Sequence, residues 1–205
     1  MKDAKTHWDD VYAARSPLDV SWYQAEPRLS LELVAATGIS AAQPIIDVGG
    51  GASLLVDRLL DGGFTDVAVL DVSRNALAHA QRRLGARAAS VEWHEQDVTR
   101  FVAPRRFTLW HDRAVFHFLT EAADREQYVR ALRRAIPVGG HAIMAAFGIG
   151  GPTQCSMLDI VQYDAEKMQA ALGHEFRLVE ERAELHVTPA AKQQKFGFFR
   201  FLRIS

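Results

Sequence analysis

PIIDVGGGASLLVDRLLDGGFTDVAVLD, residues 44–71, decides how this 205-residue chain folds. PIIDV (44–48) is a short apolar run that stops at three glycines, which suits a buried strand. Residues 53–61 place Leu54, Leu55, Leu59 and Leu60 at helical spacing, and Gly62 with Gly63 ends that helix. DVAVLD (66–71) is a second buried strand. Strand, turn, helix and strand in that order make a right-handed βαβ unit with two parallel strands.

The same alternation continues outward. Residues 74–84 read as an amphipathic helix, with Ser73 as N-cap and Gly85 at its end. Residues 89–94 and 107–111 read as strands three and four. A charged helix at 121–135 keeps Tyr128, Val129, Leu132 and Ile136 on one face. PVGG (137–140) is a turn into a fifth strand at 141–147, followed by the irregular GIGGPTQCS. A helix at 164–172 precedes two long β-like runs, 175–187 and 194–204, separated by a polar loop. The expected fold class is α/β: a three-layer sandwich around a doubly wound, mostly parallel seven-stranded sheet, closed by an antiparallel C-terminal edge hairpin. One domain is expected over 1–205. It has an N-terminal helical lid segment (1–40), a cofactor-binding core (41–147), and a substrate loop, helix and closing hairpin (148–205).

Composition removes several classes of function. With 48% hydrophobic and 24% charged residues, the chain is an ordinary globular one rather than a disordered one. A net charge of −1 gives no global attraction to nucleic acid, and no nucleic-acid partner is expected. The single cysteine, Cys155, excludes an intramolecular disulfide framework and a cysteine metal cluster. The histidines show no H-x-x-x-H spacing, so no metal is expected. The polar N-terminus and the lack of a long apolar run give a cytoplasmic expectation with no membrane partner, as a monomer or homodimer.

In an open α/β sheet the ligand lies beyond the carboxyl ends of the strands, where strand order reverses. Gly49, Gly50 and Gly51 occupy that place, and glycine lets a ligand approach the backbone closely. The G-x-G-x-x-G spacing of a dinucleotide site fails, because Leu54 stands where the third glycine belongs, and no P-loop is present. Asp71 ends the second strand, where a carboxylate can accept from both ribose hydroxyls. Asp97 follows the third strand, within reach of an adenine edge. Together, the bare turn and two acids point to a nucleoside-bearing cofactor.

These residues resemble the class I S-adenosylmethionine-dependent methyltransferases. The family's D/E-x-G-x-G is Asp47-Val48-Gly49-Gly50-Gly51 here, its strand-two acid is Asp71, and its pair after strand three is Asp97-Val98. Its P-G-G turn is one residue longer here, as Pro137-Val138-Gly139-Gly140. The resemblance covers roughly residues 40–150. Upstream, Trp8, Tyr12, Trp22 and Tyr23 are similar to the W-x-x-x-Y…W-[YF] pattern of small methyltransferases, which include lysine methyltransferases of elongation factor and citrate synthase. That subgroup's D-K-G-T-L-D is Asp112-Arg113-Ala114-Val115-Phe116-His117 here, with the glycine and threonine lost.

The resemblance implies S-adenosyl-L-methionine as cofactor. Its methionine part is expected near Asp47, Gly49, Gly50 and Gly51 under Trp22 and Tyr23. The ribose would lie at Asp71 with Val72 and Ser73, and the adenine near Asp97 and Val98. His111 and Asp112 would face the transferred methyl. The expected activity is methyl transfer to a nitrogen, oxygen or sulfur of a small molecule, with a protein lysine as the alternative acceptor. A base is needed only for an acceptor protonated at working pH, and the candidates are Asp112, His111 and His117. Outside this class stand an NAD(P)-dependent reductase, which lacks the third glycine here, and a non-catalytic S-adenosylmethionine-binding module.

Overall fold

In the computed structural model, which describes residues 3–205, the apolar runs of the first 150 residues are five parallel strands. These are β1 (Ile45–Val48), β2 (Val67–Asp71), β3 (Val91–Glu95), β4 (Leu109–Arg113) and β5 (His141–Phe147). A two-residue hairpin, β6 (Gln154–Cys155) and β7 (Leu158–Asp159), interrupts the segment read as irregular. Ser156 and Met157 both take positive φ, 52° and 65°, which is the mirror-image geometry of a tight hairpin turn. The long runs are β8 (Phe176–Val187) and β9 (Gln193–Arg203).

The main sheet has the order β3-β2-β1-β4-β5-β9-β8. Strand β9 lies antiparallel between β5 and β8, so the closing hairpin forms one edge of the sheet. The order reverses between β1 and β4, which pair in parallel with Asp47 opposite His111 and Val48 opposite Asp112. That crevice is where such a sheet binds its ligand.

Helices cover both faces. They are α1 (Ala4–Ala14), α2 (Arg28–Ala36), α3 (Leu55–Asp61), α4 (Arg74–Leu84), α5 (Ala122–Ala135) and α6 (Ala165–Leu172). One apolar layer joins Trp110, Phe116, Tyr128, Leu132, Met168 and Phe199, and the other joins Leu33, Leu55, Leu59, Ile143, Phe147 and Phe198. Side chains of alternate residues on each strand feed the two layers, as the period of a strand requires. Among the described residues, no helix is long and apolar enough to cross a membrane.

Strand four sits two residues later than its apolar run suggested. Phe107 N–H donates to the α5 end at Ala135 O (2.8 Å) and Thr108 N–H donates to Pro44 O (2.8 Å), so both precede the ladder. The shift puts Asp112 and Arg113 inside β4, on opposite faces of the sheet.

Candidate cofactor and acceptor site

The turn after β1 is built around absent side chains. Gly49 holds φ at +69°, and a Cβ there would lie 2.0 Å from Val115 Cγ2. A Cβ at Gly50 would meet Asp47 Oδ2 at 2.5 Å, and one at Gly51 would meet Asp71 Oδ2 at 2.5 Å. The glycines therefore leave room for two carboxylates as well as for a ligand.

Asp47 is buried in this turn. Its Oδ1 accepts from His111 Nδ1 (2.7 Å), which leaves His111 Nε2 to accept from the Ser30 hydroxyl (2.9 Å). The chain Asp47–His111–Ser30 ties β1 and β4 to α2. Asp47 Oδ2 is buried with no hydrogen-bond partner in the protein. A buried carboxylate oxygen without a donor is costly, so this atom is placed to receive one from a ligand.

Asp71 is buried at the end of β2 and accepts the backbone N–H of Ser73 on Oδ1 (2.7 Å). Burial, reinforced by the nearby charges of Asp47 and Asp9, pushes its carboxyl up to about 7. Ser73 caps α4, accepting Ala76 N–H (3.2 Å), and its hydroxyl donates to Asp9 of α1 (2.8 Å). Asp9 also accepts from Asn75 N–H (3.3 Å), and Lys5 reaches Glu95 (2.6 Å). These contacts fasten α1 beside the ends of β2 and β3. Asp97 accepts both the N–H (2.8 Å) and the hydroxyl (2.7 Å) of Thr99, which fixes the turn after β3.

Two cavities meet at this point. The larger, about 940 Å³ with its open mouth included, runs from Asp71, Val72, Gln96, Asp97 and Val98 past Gly49 to Phe118, Phe147, Cys155 and Phe196. The smaller, about 570 Å³, lies over Asp47, Gly49, Gly50, Ser53 and His111 under Tyr23 and Ser30. Tyr12, Trp22, Val48, Gly49 and Arg113 line both and so form the wall between them. Trp22 Nε1–H donates to Tyr12 OH (3.0 Å), and Trp8 packs edge-on against Trp22 and Phe118, with ring centroids 5.5 and 5.2 Å apart.

The structure thus gathers Trp22, Tyr23, Asp47, Gly49, Gly50, Asp71, Val72, Asp97, Val98 and His111 around connected space. Gly51 and Ser73 line neither cavity. Gly51 acts by making room for Asp71, and Ser73 acts as cap and α1 anchor. Asp112, expected to face the transferred methyl, and His117, a candidate base, also line neither cavity. Asp112 is fully buried on the opposite face of the sheet. It accepts from Val115 N–H (2.8 Å), Phe116 N–H (3.1 Å) and Tyr128 OH (2.5 Å), and Tyr128 in turn accepts from Trp110 Nε1–H (2.8 Å). Burial pushes its carboxyl up to about 6, against those hydrogen bonds. These bonds hold the chain as it leaves β4 through Ala114, at φ +71°. This is the position where the resembled subgroup carries glycine.

His117 is buried against Phe118 and Phe147, and burial lowers its ring to about 3, so it stays neutral. Its spacing on β4's exit suggested a strand-end catalyst. The 3-10 turn at Phe116–Phe118 instead rotates it into the core.

Sequence reading passed over Gln96, Phe118, Phe147 and Phe196 as site residues and gave Arg113 no role. Arg113, at the end of β4, is largely buried, with 13% of its side chain exposed. Its Nη1 donates to Trp22 O (2.9 Å) and its guanidinium lies over the Phe196 ring (4.9 Å to the centroid). Burial lowers it to about 10, opposed by Glu184 and Asp47. The arginine at 113 was legible as a charge in an apolar strand. Its partner Trp22 lies 91 residues before it, and Phe196 lies 83 residues after it (196 − 113).

The sheet order, with its reversal beside a bare turn and its antiparallel penultimate strand, is that of the seven-strand methyltransferases. Residues 45–140 match the sequence model of a family described as "Methyltransferase domain". Over those residues, a little under half of its length, the chain is similar to the S-adenosylmethionine-dependent methyltransferase family. No curated protein matches it in sequence. Similar solved structures include the N-methyltransferase NodS from Bradyrhizobium japonicum WM9 in complex with S-adenosylhomocysteine (16% identity, all of both chains, TM-score 0.76). Another is the Burkholderia thailandensis 1,6-didemethyltoxoflavin-N1-methyltransferase (16% identity, 98% of this chain and 84% of that one, TM-score 0.69). A third is the glycopeptide N-methyltransferase MtfA with S-adenosylmethionine (15% identity, 93% and 99%, TM-score 0.67). At these identities the likeness is one of fold.

The site fits the cofactor of that family, S-adenosylmethionine. The orphaned Asp47 Oδ2 suits an ammonium, and Asp71 suits a diol. The turn would lose its free volume to any Cβ.

Proposed function

We propose that this enzyme methylates a nitrogen, oxygen or sulfur of a small molecule bound at the aromatic end of the larger cavity. The observation that carries this is the two-ended shape of that cavity, acidic at Asp71 and Asp97 and apolar around Trp8, Trp22, Phe118, Phe147 and Phe196. When bound, S-adenosylmethionine supplies a methyl group already activated on a sulfonium. In this reading Asp71 accepts the ribose hydroxyls, Asp97 and Val98 border the adenine, and Asp47 Oδ2 receives the amino group. Gly49 and Gly50 bring the backbone close, and Trp22 with Tyr23 covers the methionine end.

The chain's own contribution to catalysis is then alignment and exclusion of water. Asp112 and His111 are positioning residues, the first for the exit of β4 and the second for Asp47. His117 packs the core beneath them. The titratable groups at the apolar end are Tyr12, Cys155 and Arg113; burial pushes the Tyr12 hydroxyl well up and the Cys155 thiol up to about 11. None is a base at neutral pH, so the acceptor arrives with its lone pair free. The enclosure by α1 and Trp22 favours a small acceptor over a lysine on a folded protein.

Calorimetry with S-adenosylhomocysteine tests cofactor binding. Methyl transfer from labelled cofactor into a fractionated lysate tests the acceptor: we expect label in the small-molecule pool. Label confined to protein would overturn the proposal.

A further inference from the structure

Among the described residues, Arg113 is the only lysine or arginine lining either cavity, and half of its hydrogen-bonding capacity is unused. Nη1 is committed to Trp22 O (2.9 Å). Nε and Nη2 are buried with no hydrogen-bond partner in the protein. Glu184 Oε2 lies 3.9 Å from Nη2, too far for a hydrogen bond. Both Glu184 oxygens are instead taken by the Gln24 amide, at 3.0 Å each. The guanidinium carbon lies over the Phe196 ring, 4.9 Å from its centroid.

Nε–H and Nη2–H form the edge of a guanidinium whose two donors are parallel and spaced to meet both oxygens of a carboxylate. Burying those donors without a hydrogen bond is unfavourable, and the charges of Glu184 and Asp47 offset it only in part. Apart from the Cys155 thiol and the Tyr12 hydroxyl, the rest of this end of the cavity is aromatic or aliphatic. A single fixed cation among flat apolar walls discriminates sharply, because a neutral analogue leaves the donors stranded.

We propose that Arg113 reads the methyl acceptor through its Nε–Nη2 edge, and that the acceptor is a flat, largely apolar molecule carrying a carboxylate or an equivalent planar oxyanion. This rests on the methyl-transfer reading above and adds the substrate class. Trp8, Trp22 and Phe118 pack the apolar body, while the anion on Arg113 sets which atom is turned toward Gly49. Because Arg113 stands in the wall between the two cavities, the competing use of the same edge is the cofactor's own carboxylate.

The test uses the full chain saturated with S-adenosylhomocysteine and titrated by calorimetry with 2-naphthoate and, separately, with the neutral isostere 2-naphthamide. We expect the naphthoate to bind at least about tenfold more tightly, as a bidentate charged pair should. Arg113→Met should bring the two probes within about twofold, and its loss of naphthoate affinity should exceed any loss of S-adenosylhomocysteine affinity. Arg113→Lys keeps the charge and the packed stem but not the fork, and should keep only part of the preference; it carries the test if the methionine variant does not fold. Equal binding of the two probes by the parent protein, or no binding of 2-naphthoate at millimolar concentration, overturns the proposal. So does a loss of S-adenosylhomocysteine affinity in either variant as large as the loss for naphthoate, since the guanidinium would then serve the cofactor. Failure of the underlying methyltransferase reading is a separate result: the parent protein would not bind S-adenosylhomocysteine at all.

Discussion

The two ends of the larger cavity are made in different ways. The acidic end comes from three consecutive strand-to-helix turns, and each contributes a carboxylate or bare backbone within a few residues of a strand's last ladder bond: Asp47 to Gly51, Asp71 to Ser73, and Asp97 to Val98. The apolar end comes from Trp8, Trp22, Phe118, Phe147 and Phe196, which lie on α1, the segment before α2, the exit of β4, the last residue of β5 and, opposite it, the first half of β9. The first end is local chemistry repeated by the fold. The second exists only where distant segments meet. Evolution can therefore change the acceptor end without disturbing the cofactor end, provided that the wall at Trp22 and Arg113 is kept.

That contrast predicts separable effects. The largest is expected at Asp71. Asp71→Ala removes the carboxylate assigned to the ribose and should weaken S-adenosylhomocysteine binding by up to about 100-fold, from two lost charge-assisted hydrogen bonds. Calorimetry on a folded variant would show it, and an unchanged affinity would break the assignment of this end.

On the other side of the sheet, Tyr128→Phe removes one of the two donors to Asp112 Oδ2 and strands the buried Trp110 Nε1–H, and should cost about 1–3 kcal/mol of stability in a denaturant titration. Cofactor affinity should stay within about threefold. A variant of normal stability with lost methyl transfer would instead return Asp112 to a catalytic role.

The acidic end should also be visible in pH. The Asp71 carboxyl is raised from 3.8 to about 7, so between those values the folded protein binds its proton more tightly than the unfolded chain does. Its contribution to stability is accordingly greatest below about pH 4 and falls as pH rises through 7. Ribose recognition needs the ionised form, so S-adenosylhomocysteine affinity should move the other way. It should fall by up to about tenfold per pH unit below 7, and Asp71→Asn should flatten that slope.

The smallest effect concerns α1. Asp9→Ala cuts its bonds to Ser73 and Asn75 and should weaken cofactor binding by about threefold to tenfold, roughly 1 kcal/mol. A faster release of S-adenosylhomocysteine in stopped-flow measurements would show that α1 covers the cofactor end as well as the apolar one.

The same division explains what could be read in the chain. The order of strands and helices was legible because each strand is a short apolar run stopped by glycine or an acid, and each helix repeats its apolar face at 3.6 residues. Asp47, the glycines and Asp71 were legible because their function follows from sequence distance to a strand end. Asp112 ends an equally suggestive strand and His117 lies just beyond it, yet strand alternation puts Asp112 on the face opposite His111 and one 3-10 turn directs His117 into the core. Distance from a strand end fixes height in the sheet, while which of the two faces meets the cavity depends on the segments packed over each face.

From the sequence alone came the α/β class, the reversal point after β1, and the bare turn with its two acids, because these depend on periodicity and on backbone freedom within a few residues. The tertiary structure alone decided which face each β4 side chain takes, how the aromatic end is assembled, and why Arg113 keeps a free edge. Those outcomes depend on contacts between residues as far apart as Gln24 and Glu184, whose meeting no local pattern encodes.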